Sequence, residues 1–293
     1  MKVNMLEPIG FCYGVTNAIK LAINIKQDNK NKNVYIFGYL IHNEVVIDEL
    51  TKEGIISIDT TKINDKEEYL KRFNSNDVVI FTAHGVNNRY IEILNKNHVT
   101  NYETTCSYVT MTHEEILTAL HDNKEIIYIG KGTHQETLAS MSLSNHNLYL
   151  YDLDQASFDY SKVKTNNPVV LNQTTLSILE LKSIHEEIKK HFKKATFIDE
   201  ICKNTTLRQT NLLKDDSKPD LILVVGSKLS NNTDKLYEIA KKKYPFAKVY
   251  KVNYLEDVEK IDLTNIKETL LTSGTSASLK TIYSIKNYLE GIN

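Results

Sequence analysis

Two kinds of hydrophobic pattern alternate along the whole chain. Short apolar runs, such as those that open VYIFGYLIHNE, VVIFTAHGV, EIIYIGKGTHQE and LILVVGSKLSNN, are typical of buried parallel strands. Between them lie segments such as VTNAIKLAINIKQ, VTMTHEEILTALHD and NTTLRQTNLLKDD, whose apolar residues recur every three or four positions, as in amphipathic helices. Strands that alternate with helices predict βαβ units and therefore an α/β fold with parallel sheets.

The three cysteines mark a repeat of this plan. Cys12 and Cys106 lie 94 residues apart, and Cys106 and Cys202 lie 96 apart. Each follows a strand-like run (KVNML, HVTNYE or ATFID) and precedes one of the helical segments. Internal similarity at a fixed period indicates structural repeats. The chain is therefore predicted to form three similar small α/β domains around a pseudo-threefold axis, on which the thiols converge.

The predicted domains follow from the same spacing. We expect the first over residues 14–105, the second over 106–201 and the third over 202–293. The third repeat lacks a first strand of its own, so residues 1–13 are expected to complete it. Only 4 Pro and 10 Gly occur in the chain, and no Pro- or Gly-rich linker separates the units, which predicts tightly joined domains.

Polar residues recur at similar distances after the cysteines, each at the end of an apolar run. At 28 to 30 residues the chain has His42, His134 and Ser230. At 68 to 74 residues it has His84, Thr174 and Ser276. Ligands of open α/β sheets bind beyond the carboxyl ends of the strands, where these side chains are expected. Agreement across three repeats favours one shared site, although each residue alone could serve as an ordinary cap or turn.

Three convergent thiols favour a metal centre. A single Cys is often only a small core residue, and an odd number in a chain without an export signal argues against a disulfide framework. A helix N-terminus favours the thiolate form, which binds metals. Three thiolates could hold a zinc ion or an iron-sulfur cluster. No CxxC pair is present, as structural zinc commonly requires, and a three-thiolate set leaves one metal position open for reaction.

The polar residues predict a pocket for an anion beside that centre. Short donors would converge there, and strand-to-helix loops offer N–H groups to phosphate. The candidate contacts are His42, His84, His134, Ser230, Asn231, Asn232 and Ser276. Glu136, two residues after His134, adds a carboxylate, and Thr174 adds a hydroxyl. These residue types together favour a diphosphate pocket.

Composition and charge argue against other classes. The formal net charge is -1 with Lys and Arg spread along the chain, so no basic field is present for nucleic acid or an anionic membrane. The N-terminus lacks the apolar region of a secretory signal, and no apolar run approaches the roughly 18 residues needed to cross a bilayer. A cytoplasmic protein without a membrane partner is expected.

With these residues assembled, the chain resembles the 4-hydroxy-3-methylbut-2-enyl diphosphate reductase family of the non-mevalonate isoprenoid pathway. The resemblance covers essentially the whole chain through, in order, GFCYGV, IHNEVV, AHGV, TTC, THQE, QTTLS, EIC with TTLRQ, GSKLSNN and SGTSAS. It implies a three-domain cloverleaf and one 4Fe-4S cluster held by Cys12, Cys106 and Cys202. It implies diphosphate contacts from His42, His84, His134, Ser230, Asn232 and Ser276.

The resemblance also implies the reaction. An allylic diphosphate would lose its C4 hydroxyl with two electrons and two protons, giving isopentenyl and dimethylallyl diphosphates. Thr174 falls on the family's substrate-hydroxyl position and Glu136 on its proton-delivery position, with Thr174 expected on the facing repeat. No GxGxxG nucleotide fingerprint is present, so ferredoxin or flavodoxin is the expected electron donor.

Four positions depart from the family pattern. Asn231 stands where a second serine is usual, and its amide can still donate to phosphate. Leu229 replaces a usual Asn, while Lys131 and Gln135 replace the usual His and Pro and could re-aim the loop that carries Glu136. Two alternatives stay open. One is a non-catalytic diphosphate-binding relative, and the other is a zinc-dependent hydrolase that uses the three thiolates.

Overall fold

The structure, a computed structural model, describes residues 1–198 and 201–292. Within these ranges the strands form three four-stranded sheets, and neighbouring strands pair in parallel. This confirms the predicted fold class of three similar small α/β domains. Glu200 of the EIC motif, Asp199 of the ATFID run and Asn293 lie outside the described residues.

The first sheet contains β2 (Asn33–Phe37), β3 (Ile55–Ile58), β4 (Asp77–Phe81) and β5 (Thr100–Glu103). The second contains β6 (Ile126–Gly130), β7 (Leu148–Asp152), β8 (Val169–Asn172) and β9 (Thr196–Phe197). The third contains β1 (Lys2–Met5), β10 (Leu221–Val225), β11 (Lys248–Val252) and β12 (Glu268–Ser273). The apolar runs identified in the sequence are therefore strands.

The helices that flank the first sheet are α1 (Tyr13–Asp28), α2 (Glu44–Lys52), α3 (Lys66–Leu70) and α4 (Asn88–Lys96). Those of the second region are α5 (Ser107–His121), α6 (Gln135–Met141) and α7 (Ile178–His191). The remainder are α8 (Lys203–Lys214), α9 (Asn231–Lys243), α10 (Leu255–Glu259) and α11 (Leu279–Gly291). No helix in the described ranges is long and apolar enough to cross a membrane.

All three sheets have the same strand order. The orders are β3-β2-β4-β5, β7-β6-β8-β9 and β11-β10-β12-β1. The chain reverses its direction of winding between the two central strands of each sheet, so a crevice opens at their carboxyl ends. Strand β1 takes in the third sheet the place that β5 and β9 hold in theirs, and it pairs with β12 from Lys2 to Met5. The domain boundaries proposed from the sequence stay a prediction.

The central strands form the core because they are apolar on both faces. Every residue of Ile126–Gly130 and of Leu221–Val225 is buried, as expected for parallel strands covered by helices on two sides. Helix α1 covers the first sheet with Ala18, Ala22 and Ile25. Such rigid strands fix the positions of the loops that follow them.

Candidate active site

The three cysteines occupy equivalent places. Cys12, Cys106 and Cys202 are the N-cap residues of α1, α5 and α8. The backbone N–H of each donates to a carbonyl in the loop after β12, β4 or β8, at 3.0 Å in all three cases. Those carbonyls belong, in the same order, to Thr275, Ala83 and Thr174. The strand-to-helix turn predicted for each thiol is therefore present three times.

The electrostatics of this thiol triad (Cys12, Cys106 and Cys202) favour a bound cation. Burial raises the pKa of the Cys12 and Cys106 thiols above the ordinary value. The nearby Cys202 raises both further, while helix N–H groups, such as that of Val15 at Cys12, lower them. Thiolates crowded together in this way repel one another, and a metal centre among them would remove that repulsion.

Gly14 leaves room beside two of the sulfurs. A Cβ atom at this position would lie 2.9 Å from Sγ of Cys106 and 3.9 Å from Sγ of Cys12. Both thiols therefore approach a residue without a side chain. Three soft sulfur donors beside open space are a fitting donor set for an iron-sulfur cluster.

A cavity of ≈ 100 Å³ collects every predicted site residue. The thiol triad lines it together with polar residues from the loops of all three sheets. We call these polar residues the polar wall, which consists of His42, His84, His134, Glu136, Thr174, Ser230, Asn231, Asn232 and Ser276. Their convergence places all candidate residues together, and their individual roles stay predictions.

Three histidines of the polar wall form a compact cluster. The ring centroids of His42 and His84 are 4.6 Å apart, and that of His134 lies 5.5 Å from His84 and 5.8 Å from His42. Burial lowers the pKa of all three, that of His134 to about 3. The rings are therefore neutral at pH 7 without a ligand, and an anion among them would favour their protonation.

The proton on His134 is fixed by its position at the end of a helix. His134 is the N-cap of α6, and its Nδ1 accepts the backbone N–H of Glu136 at 3.2 Å. The neutral ring therefore carries its proton on Nε2 as a hydrogen-bond donor. The three rings are close enough to hold a metal ion, with nitrogens within 4.8 Å of one another. However, metal binding at Nε2 would require the proton on Nδ1 and break the cap, so the cluster suits an anion better.

Glu136 is buried and tied to Thr174. The backbone N–H of Thr174 donates to Oε1 at 2.6 Å, and its hydroxyl donates to Oε2 at 2.9 Å. Burial raises the pKa of Glu136 to about 7, against the lowering effect of these two bonds. Thr174 follows β8 and Glu136 follows β6, which are neighbours in one sheet. The expectation that Thr174 lies on the facing repeat is therefore wrong.

The third sheet contributes hydroxyl and amide groups. Ser230 caps α9, and the Ser276 hydroxyl donates to its Oγ at 3.4 Å. The Asn232 amide donates to the Thr275 hydroxyl at 3.4 Å, while its buried Oδ1 has no partner among the described residues. Asn231 lines the cavity, but its amide donates to the carbonyl of Thr175 at 2.9 Å. Its donors are therefore engaged within the protein.

Sequence reasoning missed two buried residues that organise the site. Asn43, rather than His42, is the N-cap of α2, and its amide donates to the Ser276 carbonyl, which joins the first and third sheets' loops. The available signal was Asn before an amphipathic stretch, a common N-cap pattern. Arg208, in the TTLRQ motif, donates to the carbonyls of Ser273 at 2.8 Å and Gly10 at 2.7 Å. Its charge lowers the pKa of Cys12, partly offsetting the thiolates.

Three of the four positions that depart from the family pattern lie outside this cavity. Lys131, Gln135 and Leu229 line a second cavity of ≈ 330 Å³ next to the first. The two cavities share His42, His134 and Asn231. These three departures therefore adjoin the histidine cluster from one side and do not replace any residue of the polar wall.

Comparison with known sequences gives a consistent match over nearly the whole chain. The family model described as LytB protein matches residues 3–290. The 4-hydroxy-3-methylbut-2-enyl diphosphate reductase of Malacoplasma penetrans is 34% identical over 249 residues, covering 83% of this chain and 82% of the relative. The enzyme of the same name from Bacillus cereus is 30% identical over 294 residues, covering 100% of this chain and 91% of the relative.

Solved structures agree with the sequence matches. The E-1-hydroxy-2-methyl-but-2-enyl-4-diphosphate reductase of Plasmodium falciparum superposes with a TM-score of 0.83 at 28% identity, covering 99% of this chain and 88% of that one. A structure of (E)-4-hydroxy-3-methyl-but-2-enyl diphosphate reductase, the terminal enzyme of the non-mevalonate pathway, gives 0.68 at 24% identity with full coverage of both chains. The second supports the fold alone.

Proposed function

Because the chain belongs to the LytB protein family, we propose that it is a 4-hydroxy-3-methylbut-2-enyl diphosphate reductase. The reaction takes two electrons and two protons: one proton leaves with the allylic hydroxyl as water, and the two electrons and the second proton convert the remaining allyl group to isopentenyl or dimethylallyl diphosphate. One observation carries the proposal: the thiol triad and the whole polar wall line a single cavity. Metal ligands, anion donors and a carboxyl group with a raised pKa are the groups that this reaction needs in one place.

The thiol triad would hold one 4Fe-4S cluster. The equivalent N-cap positions, the room beside Gly14 and the mutual effect of the thiols on their pKa values support this assignment. When bound, the cluster supplies the electrons and an iron without a protein thiolate that acts as a Lewis acid. Arg208 adds a nearby positive charge that favours the ionised form of Cys12.

The histidine cluster and the third sheet's loops would bind the diphosphate. His134 offers an Nε2–H that is already oriented by its cap, so it needs no rearrangement to donate to a phosphate oxygen. The Ser230 and Ser276 hydroxyls and the Asn232 amide are further donors at strand ends. Exclusion of water from this buried cavity strengthens each charge-assisted bond.

Glu136 and Thr174 would deliver a proton to the leaving oxygen. With a pKa of about 7, Glu136 holds a proton on a large fraction of molecules at neutral pH, unlike an ordinary Glu. The protonated carboxyl can donate to the Thr174 hydroxyl, 2.9 Å away, which then donates to the substrate oxygen. The Thr174 backbone N–H holds the carboxyl in place during this transfer.

A small iron-sulfur or flavin protein, ferredoxin or flavodoxin, would supply the electrons. The support is the sequence, which has no GxGxxG fingerprint for a nicotinamide or flavin nucleotide. Electron transfer from a chemical reductant can replace this partner in an assay.

The proposal is tested by anaerobic purification followed by turnover with a chemical reductant. We expect brown protein with about four iron atoms and four sulfides per chain, and reductant-dependent formation of both isoprenoid diphosphates. Colourless protein with zinc and no reductant dependence would identify the hydrolase alternative. Cluster-loaded protein that binds the substrate without turnover would identify the binding relative. Either result would overturn the proposal.

A further inference from the structure

We propose that Gln135 is a positioning residue that sets which nitrogen of His84 carries the proton, so that His84 binds a phosphate oxygen only after it takes up a second proton. The inference rests on the proposed diphosphate site and adds that binding of the diphosphate is accompanied by proton uptake. It also assigns a role to a residue that lies between His134 and Glu136 but does not line their cavity.

The Gln135 side chain bridges two domains. Gln135 is the first residue of α6, and its side chain reaches the loops of the first sheet. Its Oε1 accepts the Thr82 hydroxyl at 3.3 Å, and its Nε2 donates to the Thr60 hydroxyl at 3.4 Å. A Cβ at Gly38 would lie 3.0 Å from the same Nε2, so the missing side chain of Gly38 makes room for the amide.

Thr82 passes this orientation to His84. Thr82 Oγ lies 3.2 Å from Nδ1 of His84 and also accepts the His84 backbone N–H at 3.4 Å. A hydroxyl has one proton, and here it is donated to Gln135. The contact between Thr82 and Nδ1 is then satisfied only when Nδ1 carries a hydrogen. Neutral His84 therefore has its proton on Nδ1, and its Nε2 is an acceptor.

His84 and His134 consequently differ as ligands for an anion. His134 presents Nε2–H in its neutral form, because its Nδ1 accepts a backbone N–H. His84 lines the same cavity, and its remaining nitrogen, Nε2, has a lone pair. Phosphate oxygens are acceptors too, so the two can form a hydrogen bond only after Nε2 gains a proton. The imidazolium that results still donates through Nδ1 to the chain of Thr82 and Gln135.

The groups around His84 agree with proton uptake on binding. Burial lowers its pKa well below the ordinary value, the nearby His42 and His134 lower it further, and a side-chain hydrogen bond with Gln135 raises it. Glu44 acts on His42, Lys131 acts on His134, and His113 packs beside Gly85 next to His84. Free His84 is therefore neutral at pH 7, and the negative charge of a diphosphate provides the reason to protonate it.

The test is calorimetry of inorganic diphosphate binding to the cluster-containing protein. Titrations in buffers with different protonation enthalpies give the number of protons taken up. Gln135→Leu frees the Thr82 hydroxyl to donate to Nδ1, which moves the neutral ring's proton to Nε2. We expect wild type to take up about one proton more than this variant near pH 7.5. As the pH rises, the affinity of wild type for diphosphate should therefore weaken about tenfold more per pH unit than that of the variant.

Controls separate this role from a general loss of structure. Gln155→Leu makes the same change at an exposed site and should behave as wild type. Gln135→Met, closer in length to Gln, repeats the test if the Leu variant fails to fold. Equal proton uptake by wild type and by Gln135→Leu and Gln135→Met, with diphosphate bound, would overturn the inference alone. Absence of diphosphate binding in wild type would overturn the proposed diphosphate site and the inference with it.

Discussion

The thiol triad and the polar wall share one cavity but differ in symmetry. In the thiol triad the three domains contribute the same residue at the same helix position, held by the same backbone bond at 3.0 Å. In the polar wall the equivalent loops contribute different chemistry. The first sheet's loops provide His42 and His84, the second's provide His134, Glu136 and Thr174, and the third's provide Ser230, Asn231, Asn232 and Ser276.

This difference agrees with what the proposed function requires each part to bind. A compact metal cluster is close to symmetric, so three equivalent thiols suit it and the repeat is retained. A substrate with a diphosphate at one end and a hydroxyl at the other is not symmetric. Its recognition requires protonatable rings in one place and a carboxyl group in another, so the repeat is broken where the side chains meet the ligand.

The largest effect is expected from breaking the symmetric part. Cys12→Ser, Cys106→Ser and Cys202→Ser should each abolish turnover, because each removes one of only three thiolate anchors. Iron and sulfide analysis after anaerobic purification measures the loss directly. Ser107→Ala, next to Cys106 on an exposed position, is the matched control. Full iron and sulfide content in all three Ser variants would show that the thiols do not anchor the cluster.

Glu136→Gln tests the asymmetric polar wall, and its expected effect on turnover is the second largest. Gln keeps the size of the side chain but cannot supply a proton, so we expect turnover to fall by about a hundredfold to ten-thousandfold. Cluster content and substrate affinity should change little, because Glu136 contacts Thr174 rather than a thiol. Steady-state kinetics in the anaerobic assay separate kcat from KM. Near-native kcat would mean that protons arrive without Glu136.

Two polar-wall variants compare a histidine with a hydroxyl. His134→Asn retains a helix cap but removes the Nε2–H, and a lost bond to a charged group costs about 1.5–3 kcal/mol, or roughly 10- to 150-fold in Kd. Ser276→Ala should weaken diphosphate binding less, by about tenfold or under. Calorimetry with inorganic diphosphate gives both values. An effect of Ser276→Ala larger than that of His134→Asn would place the phosphates against the third sheet instead.

The smallest expected effect is a pH dependence of kcat that comes from Glu136 in the polar wall. A proton donor with a pKa of about 7 is mostly protonated below that pH and mostly ionised above it. We therefore expect kcat to fall as the pH rises through about 7 and to level off at acidic pH. Glu136→Gln should lose this dependence along with most of its rate. A wild-type kcat that rises above pH 7 would assign the titration to a base.

The thiol triad could be predicted from the sequence because its placement is local. A strand-like run, a thiol and an amphipathic segment within a short stretch define a strand-to-helix turn, and the structure has each cysteine at a helix N-cap. Residues at strand ends in parallel sheets also converge by topology, which is why the sequence predicts the members of the polar wall.

Contacts between distant segments could not be predicted in the same way. Nothing in the local pattern pairs Asn43 with Ser276, Arg208 with Gly10, or Gln135 with Thr82, because each pair depends on how segments far apart in the sequence pack together. The wrong expectation for Thr174 has a different cause. Its offset from Cys106 resembles the offsets in the other repeats, but its contact with Glu136 follows from the pairing of the neighbouring strands β6 and β8.

The most direct test of the account is a Mössbauer spectrum of protein enriched in the iron isotope, recorded without and with substrate. A three-thiolate set leaves one iron without a protein ligand, and the polar wall lines the same cavity. We predict that roughly a quarter of the iron signal is distinct and that only this part changes when the substrate is added. A spectrum without iron, or one in which all iron sites respond alike, would contradict the account.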